Sequence, residues 1–391
     1  MIICVMHSEY IEENIKKMLI YNSLSVKGGK INFLVGGYLL IFYASLLTFI
    51  LSLLLTWLII KICKRYEIYD EIDPRKIHSG NIPRLGGVAV FVSFFVCAGI
   101  YVCLFQKGAF DFAWQAFLGL LLIFAFGFID DLVDLHARFK FLIQIAAALL
   151  VALSPVGINK IFFVNLNPVL GKIFIFFWIL VCVNAFNLID GIDWLCSGIS
   201  FLSIITFGVL SLIFRTYSFS LYFILAGAIA GFMVFNRPPA RIFLGDSGSQ
   251  TLGFAVAVFP LIYKESPSFE YNKMLIMLLI ASIPLTDVIA ATWRRLRDHR
   301  SIFSADRSHI HHKMLNVGFS RCATIAFLLC LQVLICFSVL ISYKLTVRVA
   351  TAELCLFLAI VELVFITFHY LNHSVNLRRT GHLQDHPMEE H

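Results

Sequence analysis

The sequence predicts an all-α integral membrane protein, and three observations carry that reading. The 391 residues are 60% hydrophobic and only 14% charged, where a soluble domain has roughly half and a quarter. Apolar segments near the ~20 residues that cross a bilayer recur along the chain. The polar residues collect between them. The expected spans are 32–60, 85–105, 112–129, 140–155, 171–189, 198–214, 219–235, 250–263, 273–292, 323–343 and 349–370. These are eleven crossings, or ten if the sixth and seventh count as one. Each is expected to be a helix, because an open backbone in hydrocarbon leaves polar groups unpaired at several kcal/mol each.

Of the 31 Lys and Arg, 19 fall in the loops 61–84, 130–140, 190–197, 236–248 and 293–322 and the tail. The positive-inside bias makes that side cytoplasmic, with the N-terminus outside and the C-terminus inside. The 10 cysteines are scattered, mostly within apolar spans, with no CxxC pair, which suggests neither a zinc site nor a disulfide framework. Residues 1–31 lack a signal-peptide layout and read as an N-terminal extension without an assigned role. Residues 32–370 form one polytopic domain, and the tail 371–391 is expected to be disordered.

Five polar stretches fall on the same cytoplasmic side. The third span ends in "DDLVDLHARFK", with Asp130, Asp131 and Asp134. If that helix continues, Asp130 and Asp134 share a face. Like charges so close call for a cation among them. The fifth span ends in "NAFNLIDGIDW", where Asn184, Asn187 and Asp190 step by three along one face, followed by Gly191 and Asp193. Amides and carboxylates together bind hard cations or hydrogen-bond a sugar or base edge.

In "FLGDSGSQ", Asp246 stands among small residues that let backbone N–H groups approach phosphate oxygens. Taken alone the motif equally suits a helix cap. The loop "WRRLRDHRSIFSADRSHIHHKM" combines Arg294, Arg295, Arg297, Arg300 and Arg307 with His309, His311 and His312. Arginine neighbours repel a metal and attract phosphate, so this loop reads as an anion clamp. The first loop adds "YDEIDPRKIHSGNIPRLGG". Carboxylates able to hold Mg²⁺ beside an Arg/His clamp are what phosphoryl chemistry needs. A site at the membrane boundary implies one lipid-borne reactant and one soluble reactant.

The ordered set of motifs from about Asp70 to Gly318 resembles the polyprenyl-phosphate N-acetylhexosamine-1-phosphate transferases, the glycosyltransferase family that also contains phospho-N-acetylmuramoyl-pentapeptide transferase. The matching residues are Asp70, Arg75, Lys76, His78, Pro83, Arg84, Gly86 and Gly87 in the first loop. Asp130, Asp131, Asp134, Lys140 and Gln144 match the aspartate-rich motif. Asn184, Asn187, Asp190, Gly191, Asp193 and Gly198 match NxxNxxDGxDGLxxG. Gly245, Asp246, Gly248 and Ser249 match GDxGS, and Asp287 matches a lone aspartate. Ser301, Phe303, Asp306, Arg307, His309, His311 and His312 match the final loop, in the form of the branch that uses UDP-N-acetylhexosamines. One position departs: Trp194 stands where the family usually has Gly, and this departure bears on the sugar more than on the reaction.

The resemblance implies that a polyprenyl (undecaprenyl) phosphate attacks the β-phosphate of a UDP-N-acetylhexosamine, most simply UDP-GlcNAc. UMP is released, and the step initiates lipid-linked cell-envelope polysaccharide synthesis. It implies Mg²⁺, replaceable by Mn²⁺, with Asp246 and then Asn187 as ligands. Asp130 or Asp131 orients or deprotonates the lipid phosphate. Lys76, Asp134, Lys140, Asn184, Asp190, Asp193, Arg307, His309, His311 and His312 are expected at the substrates. The expected setting is the bacterial cytoplasmic (inner) membrane, with no nucleic-acid partner and a homodimer left open. An intramembrane prenyltransferase would want a second Asp-rich motif in place of NxxNxxDG and GDSGS. A transporter would place its charges near the midplane and show internal repeats, and neither is present.

Overall fold

The computed structural model describes residues 29–69, 82–105, 114–156, 158, 160–161, 164–214, 219–262, 267–301 and 309–385. Backbone packing separates Met1–Ala44 from Ser45–His391. Among the described residues, the first unit holds only the start of one helix. The second unit holds everything that follows here.

The helices are α1 (Gly29–Tyr66), α2 (Gly86–Phe105), α3 (Trp114–Val133), α4 (Ala137–Ala152), α5 (Pro168–Ile189), α6 (Leu195–Ile213), α7 (Phe219–Asn236), α8 (Asp246–Ile262), α9 (Pro267–Ile280), α10 (Ser282–Arg297), α11 (Ile310–Val317), α12 (Arg321–Ser342) and α13 (Val347–Asp385). Between α4 and α5, Lys160–Ile161 and Val164–Asn165 make a minimal antiparallel pair. Each expected span coincides with a helix over most of its described length, except 273–292, which falls on two. Among the described residues, seven helices are by themselves long and apolar enough to cross a bilayer, or eight counting the bent pair α9–α10. The others are short: α4 has 16 residues and α8 has 17. Large apolar side chains such as Leu142, Phe177, Phe337 and Leu363 lie exposed, as lipid-facing residues do. This is a multi-pass all-α membrane protein.

Local chemistry sets several of the boundaries. Pro168 opens α5, and the Asn167 side chain caps it by accepting from Val169 N at 3.0 Å, a favoured start. Ser320 caps α12 through Ala323 N. Gly318, at φ 114°, ends α11; that left-handed conformation suits glycine.

Three expectations change. The segment 273–292 is two helices bent by 71° at Ala281. Pro284 has no N–H for the carbonyl four residues back, and proline in a helix interior kinks it for that reason. The tail expected to be disordered continues α13 as far as Asp385, its start fastened to α11 by Asn316 Nδ2 donating to Asn372 and Asn376. The third span does not carry Asp130 and Asp134 on one helical face. It ends at Val133, and Asp134 turns out at φ 49°.

The centre is α8, buried at every residue from Ser247 to Leu261, as expected of a helix apolar or small all round. It packs against α2, α3, α5 and α6. Small residues make this possible. A Cβ on Gly127 of α3 would meet Ser247 Cα at 2.7 Å, and one on Gly253 would meet Cys182 O of α5 at 2.8 Å. Gly127→Val should therefore destabilise the fold by about 1–3 kcal/mol, as overpacking does, read as a lower melting temperature in detergent. Gly99, which faces open space, should tolerate the same change.

Candidate active site

The site begins where α3 ends and α8 starts. The segment before α8 runs beside the segment before α2: Phe243 N donates to Pro83 O, and Gly86 and Gly87 N donate to Phe243 and Leu244 O. This brings Gly245, at φ 77°, beneath the end of α3, where a Cβ would strike Arg84 O and the Asp131 carboxylate. Asp131 then caps α8 from another helix. Its carboxylate accepts from Asp246 N at 2.8 Å, from Ser247 N at 3.0 Å and from Ser247 Oγ at 2.5 Å. A buried carboxylate on a helix N-terminus satisfies orphan donors and favours the dipole. Arg84 closes the other end, donating from Nε to Asp131 O at 3.1 Å and from Nη2 to Asp130 O at 3.2 Å. Cations favour a helix C-terminus for the same reason.

Lys140, in the first turn of α4, sits among the remaining carboxylates. Its Nζ lies 2.6 Å from Asp130 Oδ2, 3.2 Å from Asp246 Oδ2 and 3.9 Å from Asp134 Oδ1. Asp130 is buried and also accepts from Leu135 N at 2.7 Å, so it fixes both the lysine and the turn. The Asp134 side chain is 80% exposed and available to solvent. Asp246 is held from a third side by Asn187 of α5, whose Nδ2 donates to Asp246 Oδ1 at 3.1 Å and to Ser249 Oγ at 3.0 Å.

A polar chain backs this cluster into the membrane. Gln250 Nε2 donates to Asp246 Oδ2, Gln144 Nε2 to Gln250 Oε1, and Asn184 Nδ2 to Gln144 Oε1 at 2.7 Å. Buried polar groups matched in this way rigidify what they surround. Gln250 was not singled out from the sequence. Its signal was a lone amide four residues after Asp246 in an otherwise apolar run. A small pocket is lined by Ile123, Phe126, Leu135 and Ile143 together with Asp130, Lys140 and Gln250, setting apolar surface beside charge.

The end of α5 leads to the histidines. Asp190 is its C-cap, and a Cβ on the next residue, Gly191, would meet His311 Nε2 at 2.6 Å. His309 Nδ1 lies 3.0 Å from Asp287 Oδ2, and Ile310 N donates to Asp287 Oδ1 at 2.9 Å. Asp287 thus sets both the ring and the start of α11. The His311 and His312 rings lie 4.3 Å apart. His311 is buried, and neither ring nitrogen has a hydrogen-bond partner among the described residues. Burial first, and then the charges of its neighbours His312 and His309, lower its pKa to about 3.

Asp193 serves the neighbouring loop, its Oδ2 accepting from Ala240 N at 3.1 Å. Trp194 explains the family's glycine, because its φ of 69° is a conformation that bulky residues rarely adopt. Its Nε1 is buried without a partner among the described residues. Lys76 and Arg307 lie outside the described residues.

Among the described residues, no group of three or more His, Cys, Asp or Glu is arranged to hold a metal. The donor set nevertheless fits Mg²⁺, which uses one or two protein carboxylates and takes its other ligands from phosphate and water. Asp246 offers a carboxylate and Asn187 an amide oxygen. Among the described residues, the four carboxylates of Asp130, Asp131, Asp134 and Asp246 meet two cations, Lys140 and Arg84, which favours a further cation.

Residues 113–264 match the family model for glycosyl transferase family 4. A Bacillus subtilis (strain 168) protein described as "Probable undecaprenyl-phosphate N-acetylglucosaminyl 1-phosphate transferase" is 30% identical over 336 residues, covering 81% of this chain and 89% of that one. The chain belongs to glycosyl transferase family 4. Two further relatives carry the description undecaprenyl-phosphate alpha-N-acetylglucosaminyl 1-phosphate transferase. The Thermotoga maritima protein is 30% identical, with coverages of 67% of this chain and 78% of its own. The Escherichia coli (strain K12) protein is also 30% identical, with coverages of 73% and 79%. The family match spans α3 to α8, the helices that build the Asp130–Lys140–Asp246 cluster.

Two outcomes follow from this geometry. Asp131→Asn should destabilise the protein by about 2–3 kcal/mol, the scale of lost charge-assisted hydrogen bonds, measured by thermal unfolding in detergent. Between pH about 3 and the ordinary 6.5, the unfolded chain protonates His311 while the folded chain does not. Stability should therefore rise with pH across that window, and His311→Asn should flatten this part of the melting-temperature profile.

Proposed function

We propose that this chain transfers N-acetylglucosamine-1-phosphate from UDP-N-acetylglucosamine to undecaprenyl phosphate, releasing UMP, at the cytoplasmic face of the bacterial inner membrane. The step begins lipid-linked polysaccharide synthesis for the cell envelope. The observation that carries the reading is Lys140 held 2.6 Å from Asp130 and 3.2 Å from Asp246 beside the apolar residues Ile123, Phe126 and Ile143. The names of the 30%-identical relatives support it. In this reading the eleven expected spans are crossings, with α9–α10 as one, and the C-terminus and all five polar stretches lie in the cytosol; the Lys and Arg bias of those loops supports that orientation.

The lipid phosphate arrives from the apolar side of the cluster and meets the Lys140 ammonium. A phosphate monoester has its second pKa near 6, so it arrives mostly as the dianion and needs no strong base. Asp130 orients Lys140. An oxygen of the lipid phosphate bonds to the β-phosphorus of the UDP-sugar as the bridging bond to the α-phosphate breaks, and UMP carries away the bridging oxygen. Asp246 and Asn187 would hold Mg²⁺, which neutralises and orients the diphosphate when bound. Lys140, Arg307 and the histidines offset charge that develops on the phosphates, the dominant contribution in phosphoryl transfer. Trp194, large at a position where the family has Gly, supports a second reading with the same reaction and another UDP-N-acetylhexosamine.

The test is UMP release by protein purified in detergent, given undecaprenyl phosphate, Mg²⁺ and a panel of UDP-sugars. Turnover should stop with EDTA and fall about 10²-fold or more in Asp246→Ala and Lys140→Met. Turnover only with a different UDP-N-acetylhexosamine selects the second reading. Folded protein that is silent with every donor would sink both.

A further inference from the structure

Resting on that reading, we propose that Gln332, on α12 and remote from the reacting groups in sequence, is a positioning residue for the transfer. It acts by holding the bend that aims α10 at the site. The bend begins with Pro284, which has no N–H to give the carbonyl of Ile280. In lipid such a carbonyl needs another donor. Gln332, with no exposed surface, supplies it, its Nε2 donating to Ile280 O at 3.0 Å and approaching Ser203 Oγ of α6 at 3.3 Å. Because Ile280 O can only accept, the orientation of the amide is dictated. Its Oε1 is left buried with no donor among the described residues. An apolar residue of the same shape would avoid that penalty, so packing alone does not account for a glutamine here.

The neighbouring carbonyl is met locally, Ser282 Oγ donating to Leu279 O at 2.7 Å. Ile280 O, by contrast, takes its donor from another helix. One turn beyond the bend, Thr286 Oγ1 donates to Glu362 of α13 at 2.6 Å, which fixes the direction α10 leaves in. The next residue is Asp287, which orients His309 and starts α11. The path from Gln332 to the histidine cluster therefore runs through one rigid helix, with a named hydrogen bond at each end. Misplacement by about 1 Å at a distance from the chemistry can cost 10²-fold in rate, and this is the scale at which Gln332 acts.

A double-mutant cycle on the full-length protein tests the proposal. Gln332→Met, Pro284→Ala and the double variant are compared with wild type for kcat, KM for the UDP-sugar and melting temperature in detergent. Gln332→Met keeps the volume and removes the donor, and should lower kcat at least tenfold. In Pro284→Ala the backbone N–H of residue 284 can serve Ile280 O itself, so adding Gln332→Met should cost little more in either readout. Such non-additivity marks a shared interaction. An equal kcat penalty in both backgrounds overturns the proposal. So does a coupling confined to melting temperature with kcat unchanged, which makes Gln332 purely structural. Should Gln332→Met fail to fold, the double variant should restore folding, and failure to do so also overturns it. If wild type shows no turnover, the proposed reaction itself falls, while the melting cycle still reports whether the Gln332–Ile280 bond exists.

Discussion

The structure depends on one carboxylate. Asp131, at the end of α3, lies across the N-terminus of α8 and accepts from two backbone amides and a hydroxyl. In hydrocarbon a helix start without such partners would be costly, and α8 is buried at every residue from Ser247 to Leu261. With its start satisfied, α8 can sit against four neighbours, and Asp246 emerges at one fixed point beside Lys140. The two helix ends are complementary: Asp131 meets the positive end of α8, and Arg84 meets the negative end of α3. The GDSGS loop owes its glycines and serines to this closeness.

Around that point the membrane works to the site's advantage. Low dielectric strengthens each matched hydrogen bond and penalises each unmatched one. The line from Asn184 through Gln144 and Gln250 to Asp246 therefore does more than fill space. It ties α4, α5 and α8 into one body behind the charged cluster, so that Lys140 and Asp246 keep their separation as a charged substrate arrives. The same economy applies to the histidine side. Asp287 spends one oxygen on His309 and the other on the backbone of α11. His311 is pressed against Gly191 at the end of the helix that supplies Asn187.

The bent pair α9–α10 shows how an irregular backbone is tolerated in a membrane protein. A proline removes a donor, and a glutamine from a different helix replaces it. The 71° turn sends α10 in a direction that a straight crossing would not take, and Asp287 is carried with it.

The amino-acid sequence by itself determined the membrane class, the helical segments and the placing of the polar motifs at the ends of those segments. Hydropathy and charge asymmetry are local properties, and lipid leaves the backbone little choice but helix. It also determined the family, because five modest motifs in order are distinctive together. Only the tertiary structure decided what each aspartate does. Three carboxylates within five positions read alike in sequence, yet Asp131 caps a helix, Asp130 grips Lys140, and Asp134 turns out at the end of the helix. Gln250 and Gln332 acquired their roles only through partners far away in the chain. The break in the ninth span had a local cause in Pro284, but its angle did not. The physical reason is common to all of these: a hydrogen bond between helices is specified by both partners, and the sequence places only one of them at a time.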